Sequence, residues 1–305
     1  MPDSGGGIDL STSLAGLRLR NPLIVASGVL GVSVGLMKRA EDSGAAAVTT
    51  KTVTLEAREG HPNPVIVELR YGLLNSMGLP NPGAVEMGRV VEKAKELLRI
   101  PVIASIGASS PDEAVRIAEL LSKADALELN ASCPHVKRLG IDLMADSKLL
   151  ADIVAALKAL GRPLFVKLSA HGDVVRVASR VLGAGADGLV AINTLKGMAI
   201  DVWARKPVLG GIYGGLSGPA IHPVAVRVVY ELYEEFPGIP IVGVGGVESW
   251  EDAVELMLAG ASAVGIASAL RRGFEVISRV LEGLKEYLRC EGFKSVRELV
   301  GLAHS

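Results

Sequence analysis

Three stretches of this chain share one shape: GAAAVTTKT (Gly44–Thr52), GADGLVAIN (Gly185–Asn193) and GASAVGIAS (Gly260–Ser268). In each, a Gly-Ala pair closes a helical pattern and a short apolar run follows at once. That is the sequence form of a helix ending tightly and feeding a parallel strand. Outward from these, the alternation covers the chain. Strands are predicted at Leu23–Ser27, Ala46–Thr52, Val102–Ile106, Ala126–Asn130, Leu164–Leu168, Gly188–Asn193, Ile239–Gly243 and Ala263–Ala267, eight in all. Amphipathic helices are predicted at Val34–Ser43, Ala84–Leu98, Pro111–Leu121, Asp146–Ala159, Val174–Gly183, His222–Glu235 and Ser249–Ala259. Two of them open on clear caps, Ser110-Pro111-Asp112-Glu113 and Ser249-Trp250-Glu251-Asp252. Strands that are apolar throughout and separated by helices pair in parallel with both faces covered. Eight such units predict an α/β fold, a (β/α)8 TIM barrel forming one domain over residues 1–305. An open doubly wound sheet is the competing arrangement. Extended loops are expected after strands two, four and six; Leu55–Pro82 and Leu195–Pro219 are rich in Pro and Gly. Loops of this length are often lids or binding loops.

Bulk composition narrows the function. Net charge is −1 with mixed signs, and aromatic residues make up 4% of the chain, so nothing favours nucleic-acid binding. No apolar stretch is long enough to span a membrane, and Met1–Leu10 lacks the basic, apolar start of a secretory signal. A cytoplasmic location is therefore expected. The two cysteines, Cys133 and Cys290, make no disulfide framework. Cys290, in the amphipathic EGLKEYLRCEG, reads as a buried or idle thiol. The chain has no Gln and six Asn: Asn21, Asn63, Asn75, Asn81, Asn130 and Asn193. Loss of thermolabile amides is a thermophile trait, and it marks the survivors as candidates for work other residues cannot do.

A barrel builds its active site at the C-terminal ends of its strands. Polar residues recur there: Ser27, Thr50-Lys51-Thr52, Ser105, Asn130 through His135, Lys167, Asn193-Thr194, Gly245-Gly246 and Ser268. Polar groups in an apolar barrel are costly unless hydrogen-bonded, and one bound ligand would satisfy many at once. Lys51 and Lys167 lie within apolar strands, where an anionic ligand would pair them. A structural ion pair with Glu128 is the plainer alternative, and a Schiff-base lysine is another. The Gly243–Gly246 turn opens a helix near Ser249, a usual phosphate cradle in barrels. A simple tight turn is its bland reading. Cys133, just past a strand and before Pro134, is placed to be a base or a nucleophile. No cluster has metal-ligand spacing, so no metal is expected.

At this point the motifs resemble one family. TKTVTLEAREGHPNP (50–64), LLNSMGLPNPG (73–83), LELNASCPHVK (127–137), FVKLS (165–169), INTLKGM (192–198), GGLSGPAIHPVA (214–225) and IVGVGGV (241–247) are similar, in order and spacing, to the class 1 dihydroorotate dehydrogenases. The resemblance covers roughly Leu10 to Leu270 and implies a soluble enzyme that oxidises dihydroorotate to orotate in pyrimidine biosynthesis with one FMN. It implies FMN contacts at Ser27, Lys51, Thr52, Ser105, Asn130, Lys167, Ile192, Gly218, Gly245, Gly246, Ala267 and Ser268. It implies a substrate site of Lys51, Asn75, Ser76, Met77, Gly78, Leu79, Asn130, Asn193 and Thr194. Cys133 would take the C5 proton while C6 gives hydride to flavin N5. A thiol suits this, with an ordinary pKa of about 8.5.

Three positions depart from the family pattern. His135 stands where an Asn is usual, Ser105 where NAD-linked members carry an Asn for FMN, and Ala267-Ser268 where Gly-Thr is usual. TLEAREGHPNP and SCPHVK look like the B type, whose FAD and 2Fe–2S partner subunit passes electrons to NAD, as a heterotetramer; a homodimer is the other assembly expected. NSMGLPN also fits the fumarate-using A type. Another FMN barrel reductase, a lyase or aldolase using Lys167, and a barrel serving only as a binding subunit are the competing readings.

Overall fold

The computed structural model describes residues 7–131 and 144–305. Cys133, His135 and most of the expected loop after strand four lie outside them. The eight barrel strands are β1 (Leu23–Val25), β2 (Ala47–Thr49), β3 (Val102–Ile106), β4 (Ala126–Asn130), β5 (Leu164–Leu168), β6 (Gly188–Ala191), β7 (Ile241–Val244) and β8 (Ala263–Ile266). They close in sequence order, with β8 pairing β1 through Val264↔Leu23 and Ile266↔Val25. The fold is a TIM barrel, and the open-sheet alternative falls. Among the described residues, eight α-helices surround it: α1 (Val34–Asp42), α2 (Ala84–Leu97), α3 (Pro111–Leu120), α4 (Ser147–Lys158), α5 (Val174–Gly183), α6 (His222–Glu235), α7 (Trp250–Leu258) and α8 (Glu275–Glu291). The expected caps form. Ser110 accepts the Glu113 N–H at 3.2 Å, and Ser249 and Asp252 make a reciprocal capping box.

Strand side chains alternate between two environments. On β4, Leu127 and Leu129 face the helix layer, while Ala126 packs inside the barrel and the buried Glu128 follows two residues on. On β5, Leu164, Val166 and Leu168 face outward and Phe165 inward, with Lys167 two residues beyond. The interior is thus apolar at the strand starts and polar towards their ends. Two matching clamps fix the start of this gradient. Asp125 pairs Lys95 at 2.7 Å and accepts the Val102 N–H at 2.7 Å. Asp187 pairs Lys158 at 2.6 Å and accepts the Leu164 N–H at 2.8 Å.

A hairpin that the sequence patterning did not show, Thr12–Leu14 paired with Leu17–Leu19, contributes to the barrel interior. Its Leu14 and Leu19 are buried in the same cluster as Ile24, Ile103, Phe165 and Val190. Ala15 and Gly16 turn it with positive φ at both positions, as a two-residue hairpin turn with the right twist requires.

The two long loops are not irregular. The strands Ile66–Leu69 and Gly72–Asn75 come from the first, and Leu195–Gly197 and Gly214–Ser217 from the second. They join in one four-stranded antiparallel sheet, pairing Gly215↔Asn75 and Lys196↔Gly215. Cys290 also departs from the expectation of burial. It is exposed on α8, where its Sγ–H donates to Glu286. That carboxylate pushes the thiol's pKa up, so the group is idle although not buried.

Leu14 fills the interior while Leu17 is partly exposed. Leu14→Ala is expected to lower unfolding stability by about 3 kcal/mol and Leu17→Ala by less than about 1 kcal/mol. Denaturant titration of both variants checks the difference.

Candidate active site

The C-terminal end of the barrel holds a cavity of about 510 Å³, within the usual range of roughly 300–1,000 Å³ for small-molecule sites. Ser27, Lys51, Thr52, Asn130, Lys167, Asn193 and Thr194 line it from the strand ends. Ile66, Leu73, Asn75, Met77 and Ser217 line it from the loop sheet and its flank, so the two long loops wall the chamber together. A smaller annex of about 80 Å³ shares Ser27, Lys167, Asn193, Thr194, Ala267 and Ser268 and ends at Gly218, Gly245 and Gly246.

A hydrogen-bonded belt sets the polar wall. Asn193 Nδ2 donates to Asn130 Oδ1 at 3.1 Å, and Asn130 Nδ2 donates to Thr52 Oγ1 at 3.3 Å. Thr52 Oγ1 lies 3.2 Å from Ser27 Oγ and 2.8 Å from Ser105 Oγ. Ser105 Oγ donates to Glu128 at 2.9 Å. The network thereby assigns which end of each amide is oxygen. Thr194 N–H donates to Asn193 Oδ1 at 2.9 Å, and Asn75 Nδ2 donates to Gly215 O at 3.0 Å, tying the loop sheet to itself beside the cavity.

Lys167 is the outlier. It is only 6% exposed and lines both chambers, yet its ammonium has no hydrogen bond or ion pair to a described residue. The ion pair with Glu128 that the sequence allowed is not formed; Glu128 accepts from Ser105. The ammonium faces the cavity, where an anion or an acceptor would pair it.

The annex supplies a second anion feature. Gly245 and Gly246 have φ of 151° and 71°, and a Cβ on Gly246 would sit 2.8 Å from Gly218 O. Among the described residues, the N–H groups of Gly246 and Val247 have no acceptor. Consecutive free N–H groups at a glycine turn form a nest for an oxyanion.

Most of the expected site residues meet at these two chambers: Ser27, Lys51, Thr52, Asn75, Met77, Leu79, Asn130, Lys167, Ile192, Asn193, Thr194, Gly218, Gly245, Gly246, Ala267 and Ser268. Three do not. Ser105 is fully buried one link below the wall and reaches it through Thr52. Ser76 and Gly78 sit behind the lining. Ser76 Oγ lies 3.0 Å from His61 Nδ1, and a Cβ on Gly78 would lie 2.6 Å from His61 N. The strand ends at Asn75, and Met77 and Leu79 line the cavity from the non-strand turn beyond it, where Gly78 and Leu79 have φ of 72° and 59°. The sequence reading missed the outer wall of Val29, Leu30, Leu36, Leu270, Arg271 and Phe274. These are ordinary loop and helix-start residues that carry no pattern. Arg271, paired to Glu68 at 3.3 Å and Glu248 at 3.2 Å, joins the loop sheet to the segment after the glycine turn.

The match to known proteins follows this geometry. The dihydroorotate dehydrogenase family model covers residues 9–288. This chain belongs to the dihydroorotate dehydrogenase family. It is 44% identical over 298 residues to the protein of Pyrococcus abyssi named dihydroorotate dehydrogenase B (NAD(+)), catalytic subunit, covering 96% of this chain and 99% of that one. Proteins of the same name from Thermococcus kodakarensis and Methanocaldococcus jannaschii are 46% and 43% identical, with 96% and 97% of this chain covered and 98% of each relative. The family is one of oxidoreductases, and these relatives are of the NAD-linked B type. No helix among the described residues is long and apolar enough to cross a membrane.

Among the described residues, none pairs the charge of Lys167. Lys167→Met is expected to raise the melting temperature of the ligand-free form, by about 2–4 °C per kcal/mol recovered. Calorimetry on the ligand-free protein checks this, and a fall would show the ammonium to be stabilised within the protein.

Proposed function

We propose that this protein oxidises dihydroorotate to orotate with one bound FMN, as the catalytic subunit of a B-type enzyme. The observation that carries the reading is the Lys167 ammonium, without a partner among the described residues and set between an amide-rich chamber and a glycine-turn anion nest, in a chain of this family. The residues fit FMN on chemical grounds. The nest at Gly245–Val247, with Ala267 and Ser268, suits a phosphate. Lys167 suits a ring that gains negative charge on reduction, and Ser27, Lys51, Thr52, Asn130, Ile192 and Gly218 complete the holding set. Ser105 supports this set through Thr52 rather than by contact. FMN, when bound, supplies the hydride acceptor for C6 of the substrate.

The chain's own residues do the rest. Lys51 and the Asn75–Leu79 segment hold the substrate carboxylate. Asn75, Asn130 and Asn193 each offer a donor and an acceptor, which matches the imide face of a pyrimidine. The belt running Asn193 to Asn130 to Thr52 fixes two of these amides before substrate arrives, so little ordering is left for binding to pay for. Thr194 lies beside Asn193 on the same wall. Cys133 follows three residues after Asn130 at the end of β4, and its thiolate takes the C5 proton. A carboxylate-binding lysine and three amides favour dihydroorotate over the lyase and aldolase readings.

The relatives' name, a catalytic subunit linked to NAD, supports a partner subunit. In this proposal the partner carries FAD and a 2Fe–2S cluster and passes the electrons to NAD, in a heterotetramer, with a homodimer of this chain as the other assembly. The fumarate-using A type is the reading these names disfavour.

Anaerobic absorption spectra test the proposal. The purified protein is expected to be yellow and to bleach on addition of dihydroorotate. Cys133→Ala is expected to keep its flavin and bleach at least 100-fold more slowly, of the order that general-base catalysis supplies. A yellow protein indifferent to dihydroorotate would refute the substrate, and one that rejects added FMN would refute the cofactor.

A further inference from the structure

Behind the glycine turn sits a histidine that touches neither chamber. His222 is the first residue of α6 and is 7% exposed. Its Nδ1 lies 2.7 Å from the carbonyl oxygen of Gly245, and its Nε2 lies 3.1 Å from Glu255 Oε2 on α7. Asp252 Oδ1, also on α7, stands 3.8 Å from the same Nε2. A carbonyl and a carboxylate can only accept. The imidazole therefore bridges two acceptors, one on the glycine turn and one on α7. The backbone agrees on the close approach: a Cβ on Gly246 would lie 2.8 Å from His222 Cβ.

We propose that His222 is a positioning residue for the phosphate end of the cofactor, clamping the Gly245–Gly246 turn to α7 behind the anion nest. Its Nδ1–H holds the Gly245 carbonyl on the side away from the annex. The peptide that follows is then fixed with its N–H groups unclaimed by the protein. The other ring nitrogen anchors the clamp on α7, whose start is itself fixed by the capping box of Ser249 and Asp252. The groups whose charge faces the ring are Asp252 and Glu255. The ligand class this favours is a phosphate monoester over the same molecule without its phosphate.

This inference rests on the FMN reading, and the test separates the two. Flavin-stripped protein is titrated with FMN and, separately, with riboflavin, following the loss of flavin fluorescence. His222→Asn keeps a donor near the Nδ1 position; His222→Leu drops it. The FMN-over-riboflavin affinity ratio is expected to fall about tenfold in His222→Leu, as for loss of one hydrogen bond, and by a smaller factor in His222→Asn. Riboflavin affinity is expected to hold, which shows the chamber intact. FMN and riboflavin weakening by the same factor would make His222 merely structural and overturn the proposal. An unchanged ratio in both variants would overturn it as well. If His222→Leu fails to fold, His222→Asn decides. Wild-type protein that binds neither flavin would instead sink the FMN reading on which the inference stands.

Discussion

An ammonium held inside a closed barrel, with no partner among the described residues, sets the terms for everything around it. Lys167 is carried on β5 between Val166 and Leu168, both packed outward against the helices. The strand cannot turn it to solvent without turning those two apolar side chains inward, because register and face are locked together in a strand. Its stem is therefore fixed by the outer core, and its charge is left to whatever the cavity holds. The apolar lower layer, where Phe165, Ile103 and the hairpin's Leu14 pack, keeps water from reaching it from below. Stability at one end of the barrel and chemical demand at the other are two faces of one alternation.

The same logic explains why two distant loops meet. A chamber open at the strand ends would leave Lys167, Asn130 and Asn193 wet, weakening each polar contact to a ligand. The Leu73–Asn75 and Gly215–Ser217 strands wall it by pairing with each other, so their backbone groups are satisfied without help from the barrel. Gly215 is required at that crossing, since a Cβ there would lie 2.1 Å from Thr194 Oγ1. The glycine content of the second loop, which reads from sequence as irregularity, is in part the clearance needed for a sheet to lie against a binding residue.

Much of this was legible in the residues themselves. Helix-strand alternation and the Gly-Ala turns carried the barrel and its eight strands, because burial on both faces leaves an unbroken apolar run. The six asparagines were a sound guide: Asn75, Asn130 and Asn193 line the chamber, and Asn21 and Asn81 clip loops through backbone hydrogen bonds. Asn63 is exposed and shows no such work. The loop sheet and the hairpin were not legible, because strands of three or four residues are too short for a period to register. The outer wall of Leu36, Leu270 and Phe274 was hidden for a different reason. An apolar side chain facing a ligand and one facing the core look the same in sequence.

Ser105 shows where motif matching and physical reach part company. An amide at this position would extend towards the chamber, whereas the serine hydroxyl stops at Thr52 Oγ1, 2.8 Å away. The contact is not lost but relayed, since Thr52 is held by Ser105 from below and by Asn130 and Ser27 from the sides. Glu128 anchors the relay by accepting from Ser105, which also gives that buried carboxyl a hydrogen-bonding partner other than Lys167. A shorter side chain at 105 therefore does two things at once. It hands its place at the cavity wall to Thr52, and it gives the buried Glu128 carboxyl on β4 a hydrogen-bond donor.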